Sequence, residues 1–277
     1  MILFQLTDLH CSPYGERAMR RCETNTLTER AFRAVRRFQP QPDAIVVTGD
    51  LSDDGSPASY QELSAILGRT TTKPVYVIPG NHDSRDAFKT HLAHLPGVTD
   101  HPEFVQYTVE NLPVRLVMLD TLVAGHAHGE LNAAQLAWLD STLAAAPDRP
   151  TMIAMHHPPF VCGIRHLDRI NLHDSPAFTA VIARHRQVRR IICGHHHRPI
   201  TMPVAHTIAT ISPGVAHQAE LELLNDAVGQ WNLEPPAFQI HLWLPEAGPD
   251  GAIASHTTFV ESWPGPYPFL AADQPGG

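Results

Sequence analysis

Short groups of acids, amides and histidines recur along the chain: Asp8-Leu9-His10, Gly49-Asp50, Gly80-Asn81-His82-Asp83, His156-His157-Pro158-Pro159 and Gly194-His195-His196-His197. Carboxylates, amide oxygens and neutral imidazoles are the side chains that bind hard and borderline cations. A carboxylate has two oxygens and about four lone-pair positions, so it can sit between two cations and bind both. Asp50 is the candidate for that place, because it follows an apolar run, Ala44 to Thr48, that stops abruptly at Gly49. Each group alone has a plainer reading. Asp8-x-His10 could be a turn after a strand, Asp50 a helix cap, and Gly-Asn-His-Asp a turn followed by a cap. Jointly they point to metal, since turn chemistry has no reason to choose histidine again and again.

The elements that must position these groups are legible in the hydrophobic pattern. Ile2 to Thr7, Ala44 to Thr48, Val75 to Ile78, Thr151 to Met155 and Val188 to Cys193 are apolar runs suited to buried strands, and each delivers one polar group at its C-terminal end. Helices are expected between them. Thr26-x-x-Glu29 and Asn132-x-x-Gln135 read as capping boxes, Ser56-Pro57 as cap and first helical residue, Ser175-Pro176 as the start of another helix, and a further helix is expected across Asp86 to Leu95. Phe104 to Glu110 and Val114 to Asp120 read as a hairpin around Asn111-Leu112-Pro113. Strands alternating with helices, interrupted by hairpins, give an α/β sandwich of sheets flanked by helices, and such folds bind ligands at strand C-termini. After Pro213-Gly214 the character changes, with strands expected at Ala237 to Leu244 and Ile253 to Val260 and a Pro/Gly-rich tail from Ser262. We therefore expect a catalytic domain over residues 1–217 and an appended hairpin and tail over 218–277, acting as a cap or dimerisation element.

Within the last histidine group, an extended Gly194 to His197 segment puts His195 and His197 on one face and His196 on the other. An extended Asp8 to His10 would likewise share a face. Alternation does not decide between His156 and His157. Asn81 can coordinate only through its neutral carbonyl oxygen, so any site that uses it binds less strongly.

The ordered set D-x-H, G-D, G-N-H-D, H-H-P-P, G-H-x-H resembles the calcineurin-like metallophosphoesterase superfamily, and within it the class III cyclic nucleotide phosphodiesterases and bacterial glycerophosphodiesterases. Further similarity lies at Gly129-Glu130-Leu131 and Pro213-Gly214-x-x-His217. The resemblance implies a four-layer αββα sandwich. It also implies one metal held by Asp8, His10, Asp50 and His197, and a second held by Asp50, Asn81, His156 and His195. Iron and manganese come first, with zinc or cobalt as alternatives, because mixed imidazole and carboxylate ligands suit all four. The implied reaction is hydrolysis of a small phosphodiester by a metal-bridging hydroxide. His82 would steady the phosphate or protonate the leaving alkoxide, its plainer reading being a histidine that orients Asp83 or a ligand. His217 matches a further active-site histidine of the glycerophosphodiesterase branch, its plainer reading being a loop residue. Gly125-His126-Ala127-His128-Gly129 imitates G-H-x-H but begins beyond the expected strand end at Asp120, so His126 and His128 are expected at the pocket rim.

Composition sets the outer bounds. A formal charge of -8 repels polyanions, which argues against tight nucleic-acid binding and disfavours a nuclease, while two divalent ions against two carboxylates leave a local cationic spot for a phosphodiester. The 19 histidines against 20 lysines and arginines are the compositional outlier. Cys11, Cys22, Cys162 and Cys193 form no C-x-x-C, so reduced, packed thiols are expected. No basic leader precedes Asp8 and no apolar run reaches the ~18 residues of a membrane span, which leads us to expect a cytoplasmic protein. The tail and the resemblance together suggest a homodimer or higher oligomer. The arginine expected after Gly-Asp in protein serine/threonine phosphatases is absent from Leu51-Ser52-Asp53-Asp54-Gly55, which argues against a phosphoprotein substrate. A phosphomonoesterase, a nuclease or an inactive metal-bound binding module are the alternatives.

Overall fold

In the computed structural model, which describes residues 1–224 and 228–268, the expected strands and helices alternate and close into two stacked sheets. The N-terminal half runs β1 (Ile2–Leu6), α1 (Thr24–Arg37), β2 (Ala44–Thr48), α2 (Pro57–Thr70), β3 (Val75–Ile78) and α3 (Arg85–His91). A hairpin of β4 (Tyr107–Val109) and β5 (Arg115–Met118) follows, then α4 (Ala133–Ala144), β6 (Thr151–Ala154), α5 (Arg165–Asp168), α6 (Ser175–Arg184) and β7 (Val188–Cys193). The chain ends with β8 (Ile200–Val204), β9 (Thr207–Ile211), the short pair β10 (Gln218–Ala219) and β11 (Trp231–Asn232), and the hairpin β12 (Ala237–Leu244) and β13 (Ala252–Phe259). The first sheet has the order β13-β12-β1-β2-β3 and the second β4-β5-β6-β7-β9-β8.

Side-chain alternation explains why two sheets stack with helices outside. In β5 and β6, Leu116, Met118, Met152 and Ala154 pack with the first sheet's core, while Val117, Leu119, Ile153 and Met155 pack with α4 and α6 residues such as Leu139, Phe178 and Ile182. Both faces of these strands are covered, so Leu116 to Met118 and Met152 to Ala154 read as unbroken apolar runs. The cores bury Phe4, Phe32, Tyr60 and Phe88 on one side and Phe178 on the other.

Several local expectations need correction. α1 starts at Thr24 with Glu23 before it and no side-chain cap, so the Thr26–Glu29 capping box is not formed. The hydroxyls of Thr24 and Thr28 instead donate to the carbonyls of His10 and Leu9 at 2.6 and 3.3 Å, which pins the loop after β1. α3 ends at His91, short of Leu95. The Asn132–Gln135 box and the Ser56-Pro57 start are present as read. The C-terminal hairpin is no separate appendage: β12 pairs antiparallel with β1, from Ile2 opposite Leu242 to Gln5 opposite Gln239, so it completes the first sheet. The end of the expected tail, residues 269–277, lies outside the described residues. Among the described residues no helix is long and apolar enough to cross a membrane, and the four cysteines are free, with Cys11, Cys22 and Cys193 buried.

A buried polar chain crosses the sandwich beneath the strand ends. Gln5 donates to Thr48 Oγ1 at 2.9 Å and to the Cys193 carbonyl at 2.8 Å, joining β1 to its neighbour and to the opposite sheet. Its Oε1 accepts from His241 Nε2 at 3.0 Å, which leaves His241 Nδ1 to accept from Ser255 at 2.8 Å. Burial, with Arg190 nearby, lowers the His241 pKa to about 3 from 6.5. Between those values the unfolded chain binds the proton and the folded one does not, so this contribution is intact above pH 6.5 and is lost as the pH falls toward 3. His241→Gln should therefore flatten the fall of the unfolding midpoint between pH 7 and pH 5, measured by urea titration at each pH. An unchanged pH dependence would remove His241 from the acid lability.

Candidate metal centre

The polar groups at the ends of β1, β2, β3, β6 and β7 converge on one edge between the two sheets. They do so through turns rather than extension. Asp8, His10, Asp50, His195 and His197 all adopt positive φ, between 47° and 73°, where residues with a Cβ are strained by about 1–3 kcal/mol each. The extended geometry expected for Asp8 to His10 and for Gly194 to His197 is thus corrected: each strand stops and the chain coils back over its own end. The strained turns are held by their neighbours. Asp8 N donates to Gly49 O at 3.0 Å, His10 N to Asp50 O at 2.9 Å, and His195 N to both Asp8 oxygens at 3.1 and 3.2 Å. Close approach also demands glycine. A Cβ on Gly80 would stand 2.3 Å from Asp50 Oδ1, and one on Gly194 2.0 Å from Thr7 Oγ1.

Asp50 lies at the middle. Its Oδ1 accepts from the backbone N of His82 at 2.9 Å, while Oδ2 lies 3.7 Å from His10 Nε2 and 3.4 Å from His156 Nε2. On one side Asp8, His10, Asp50 and His197 bring four donor atoms within 4.8 Å of one another. On the other, His156 Nε2 is 3.2 Å from Asn81 Oδ1, and His156, His157 and His195 gather within the same reach. His157, adjacent in sequence, turns its Nδ1 to Thr121 Oγ1 at 2.8 Å, so of the two it is His156 that faces Asp50 and Asn81. His82 stands at the rim, its side chain 41% exposed and its Nδ1 on the Asp53 carbonyl at 2.7 Å. The His217 ring lies 4.9 Å from that of His10 and 4.3 Å from that of His197. Every residue named from the sequence belongs to this one network. His126 and His128 lie outside it.

The donor chemistry fits metal ions. Ring nitrogens facing away from the centre meet acceptors: His156 Nδ1 donates to Thr48 O at 2.7 Å, His197 Nδ1 to His217 O at 2.9 Å and His195 Nε2 to Ile170 O at 3.0 Å, while His10 Nδ1 lies 3.1 Å from Asp53 Oδ1. Carbonyls and carboxylates only accept, so a neutral ring presents its lone pair inward, as in histidine ligands oriented by a second hydrogen bond. The inward nitrogens of His10 and His197 face one another at 3.3 Å, with Asp8 Oδ1 3.2 Å from His197. Lone pairs and carboxylates at such separations repel unless positive charge, a proton or a metal cation, lies among them. The local field agrees. Burial opposes a charge on His156, yet Asp50 raises its pKa to about 9, and despite its own burial Asp50 is held well below the ordinary carboxylate range by His156, His82 and His10.

Two acids went unassigned in the sequence. Asp53 holds His10, and its only signal was a place three residues after Asp50 in a Leu-Ser-Asp-Asp run. Asp83 accepts from the backbone N of Leu51, Ser52 and Gly80 at 3.1, 3.1 and 2.8 Å and from the Tyr60 hydroxyl at 2.9 Å. It ties the loop after β2 to the loop after β3.

This geometry and the sequence agree on a class. Residues 1–199 match the calcineurin-like phosphoesterase family, and the chain belongs to that family. Among its relatives, a probable glycerophosphodiester phosphodiesterase, GpdQ, of Arcobacter nitrofigilis is 31% identical over 97% of both chains. The 3′,5′-cyclic adenosine monophosphate phosphodiesterase CpdA of Escherichia coli K12 is 32% identical over 72% of this chain and 70% of its own. In fold, a dimetal phosphatase from Danio rerio superposes with a TM-score of 0.62 at 16% identity, covering 94% of this chain and 99% of its own.

If Asp83 sets the spacing of the two loops, Asp83→Asn should point an amide at backbone donors, cost about 1–3 kcal/mol for each group left unsatisfied, and lower bound metal as well as the melting temperature. Tyr60→Phe, which keeps the three backbone bonds to Asp83 but loses the one that Ser84 N donates to the Tyr60 hydroxyl, should do less. Full metal content and unchanged melting of Asp83→Asn, by elemental analysis and calorimetry, would exclude this role.

Proposed function

We propose that the chain is a dimetal phosphodiesterase that hydrolyses small phosphodiesters, glycerophosphodiesters or 3′,5′-cyclic nucleotides such as cAMP, or both. The observation that supports this reading is Asp50 Oδ2, 3.7 Å from His10 Nε2 and 3.4 Å from His156 Nε2, with Asp8 and His197 gathered about the first ring and Asn81 and His195 about the second. The first cluster with Asp50 would hold one divalent ion and the second with Asp50 the other. When bound, such a pair polarises a phosphoryl oxygen and lowers the pKa of a bound water.

The chain's own groups supply orientation and proton handling. Asn81 adds no charge, so the second position is the weaker. His82, with Nδ1 anchored on the Asp53 carbonyl, has its Nε2 free at the rim to give a proton to the leaving alkoxide. His217, between His10 and Trp231, would orient the phosphate. A glycerophosphodiester is favoured by the relative aligned over nearly the whole chain, and a cyclic nucleotide by the relatives named as cyclic nucleotide phosphodiesterases. The phosphomonoesterase, nuclease and inactive alternatives gain nothing from these names. Iron or manganese is the proposed metal, and the cytoplasm the proposed compartment. For residues 218–277, whose β12 and β13 complete the first sheet of the catalytic 1–217, we propose a cap or dimer contact made through the exposed Leu221, Leu223, Leu224, Val228 and Leu233.

Asp50→Ala should lose both metals and nearly all activity, whereas Asn81→Ala should retain the first metal and lose mainly the second, as read by elemental analysis. Two metals at full occupancy in Asp50→Ala would sink the bridging role. Assays on a chromogenic diester, cAMP, glycerophosphoethanolamine and a monoester test the substrate class, which is wrong if the monoester is cleaved much faster than every diester.

A further inference from the structure

The histidine loop that the dinuclear centre leaves unused is itself organised. Gly129 forms bridges with Leu122 and, in parallel sense, with Leu172, and is fixed by hydrogen bonds from its N to Asn171 O at 3.2 Å and from His173 N to its O at 2.7 Å. Bridged residues share a face and their neighbours take the other. Gly129 and Leu172 therefore turn inward. Leu172 is buried, and a Cβ on Gly129 would stand 2.3 Å from His157 Nδ1. His128, Glu130 and His173 turn outward together. The rings of His128 and His173 stack 3.8 Å apart and 6° from parallel, and Glu130 Oε1 lies 3.3 Å from His128 Nε2 and 3.9 Å from His173 Nδ1. The three ligand atoms lie within 4.8 Å of one another. For comparison, two ligands on a tetrahedral zinc at ~2.1 Å are roughly 3.4 Å apart.

We propose that His128 Nε2, Glu130 Oε1 and His173 Nδ1 form a separate mononuclear site for a borderline divalent transition metal such as zinc. Two imidazoles and one carboxylate match that ion's preference, and the remaining position is open to water or an anion. The backbone bridges hold the three residues on one face before any ion arrives, and one imidazole must turn out of the stack for both lone pairs to meet a single ion, because parallel ring planes share no point. The site stands on the outer face of the segment whose inner face touches His157, and His157 adjoins His156 and His195. An ion there would tie the loop after β5 to the segment before α6, beside the second metal position.

The test is zinc titration of the untagged full-length protein by calorimetry, with elemental analysis after desalting. The wild type should bind one equivalent more than His128→Ala or His173→Ala. Asp50→Ala should keep that equivalent while losing the dinuclear metals, so failure of the dinuclear reading and failure of this one are distinguishable. The His173 side chain is 49% exposed and that of His128 20%, so matched melting curves check that neither alanine variant unfolds the chain. Equal zinc stoichiometry in wild type and the His128→Ala/His173→Ala double variant, or no binding beyond the dinuclear centre, overturns the proposal.

Discussion

Removing the carboxylates of Asp8 and Asp50 from water costs several kcal/mol per ion, and the rest of the structure is arranged around offsetting that cost. Each carboxylate is surrounded by backbone N–H groups and imidazoles instead of apolar atoms: His195 N on Asp8, His82 N on Asp50, and His156, His10 and His197 within 4 Å of one or the other. Those imidazoles carry their outer protons toward carbonyls, so their lone pairs also face the centre. Negative oxygens and lone pairs converging on one point need positive charge between them, whether protons on His156 and His197 or metal cations. The same arrangement that makes the apo edge of the sandwich electrostatically costly makes it a metal site.

Backbone strain follows from that demand. To aim successive side chains into one volume, the chain must leave its strands in left-handed turns at non-glycine residues, and these persist only where neighbours over-determine them. Asp83 does this for the loops after β2 and β3, and Thr24 and Thr28 for the loop after β1. Gln5 does it from below, holding β1, β2 and the end of β7 at fixed spacing. Arg85 clamps the far side, reaching both oxygens of the buried Asp120 at 2.7 and 3.0 Å and the Leu122 carbonyl at 2.7 Å, so that the loop after β3 and the loop after β5 move as one.

The residue types of the centre and the strands that end in them were legible in the sequence because both signals are local: mainly apolar runs of four to six residues, each followed two or three residues later by acid, amide or histidine. The alternating strand and helix order, and with it the two-sheet class, was legible for the same reason. What failed was what depends on partners distant in the chain. Thr26 and Glu29 have the spacing of a capping box, but the helix begins earlier because the Thr24 and Thr28 hydroxyls are used by the His10 and Leu9 carbonyls. Residues 237–260 have the pattern of a free hairpin, yet the open edge of β1 leaves backbone groups that β12 satisfies.

By itself, then, the sequence determined which side chains stand at which strand ends, and hence that the chain would gather metal-binding groups on the C-terminal edge of an α/β sandwich. Only the tertiary structure decided how they face one another. It turned His156 toward Asp50 and Asn81 and His157 Nδ1 toward Thr121, set a single Asp50 oxygen within 4 Å of both His10 and His156, and recruited Asp53 and Asp83 to hold the rest in place. It also turned His128, Glu130 and His173 out together on a bridged segment. The reason is physical: apolar periodicity specifies the strands one at a time, whereas the direction of a side chain beyond a strand end is set by turns whose strain is met by hydrogen bonds from elsewhere in the chain.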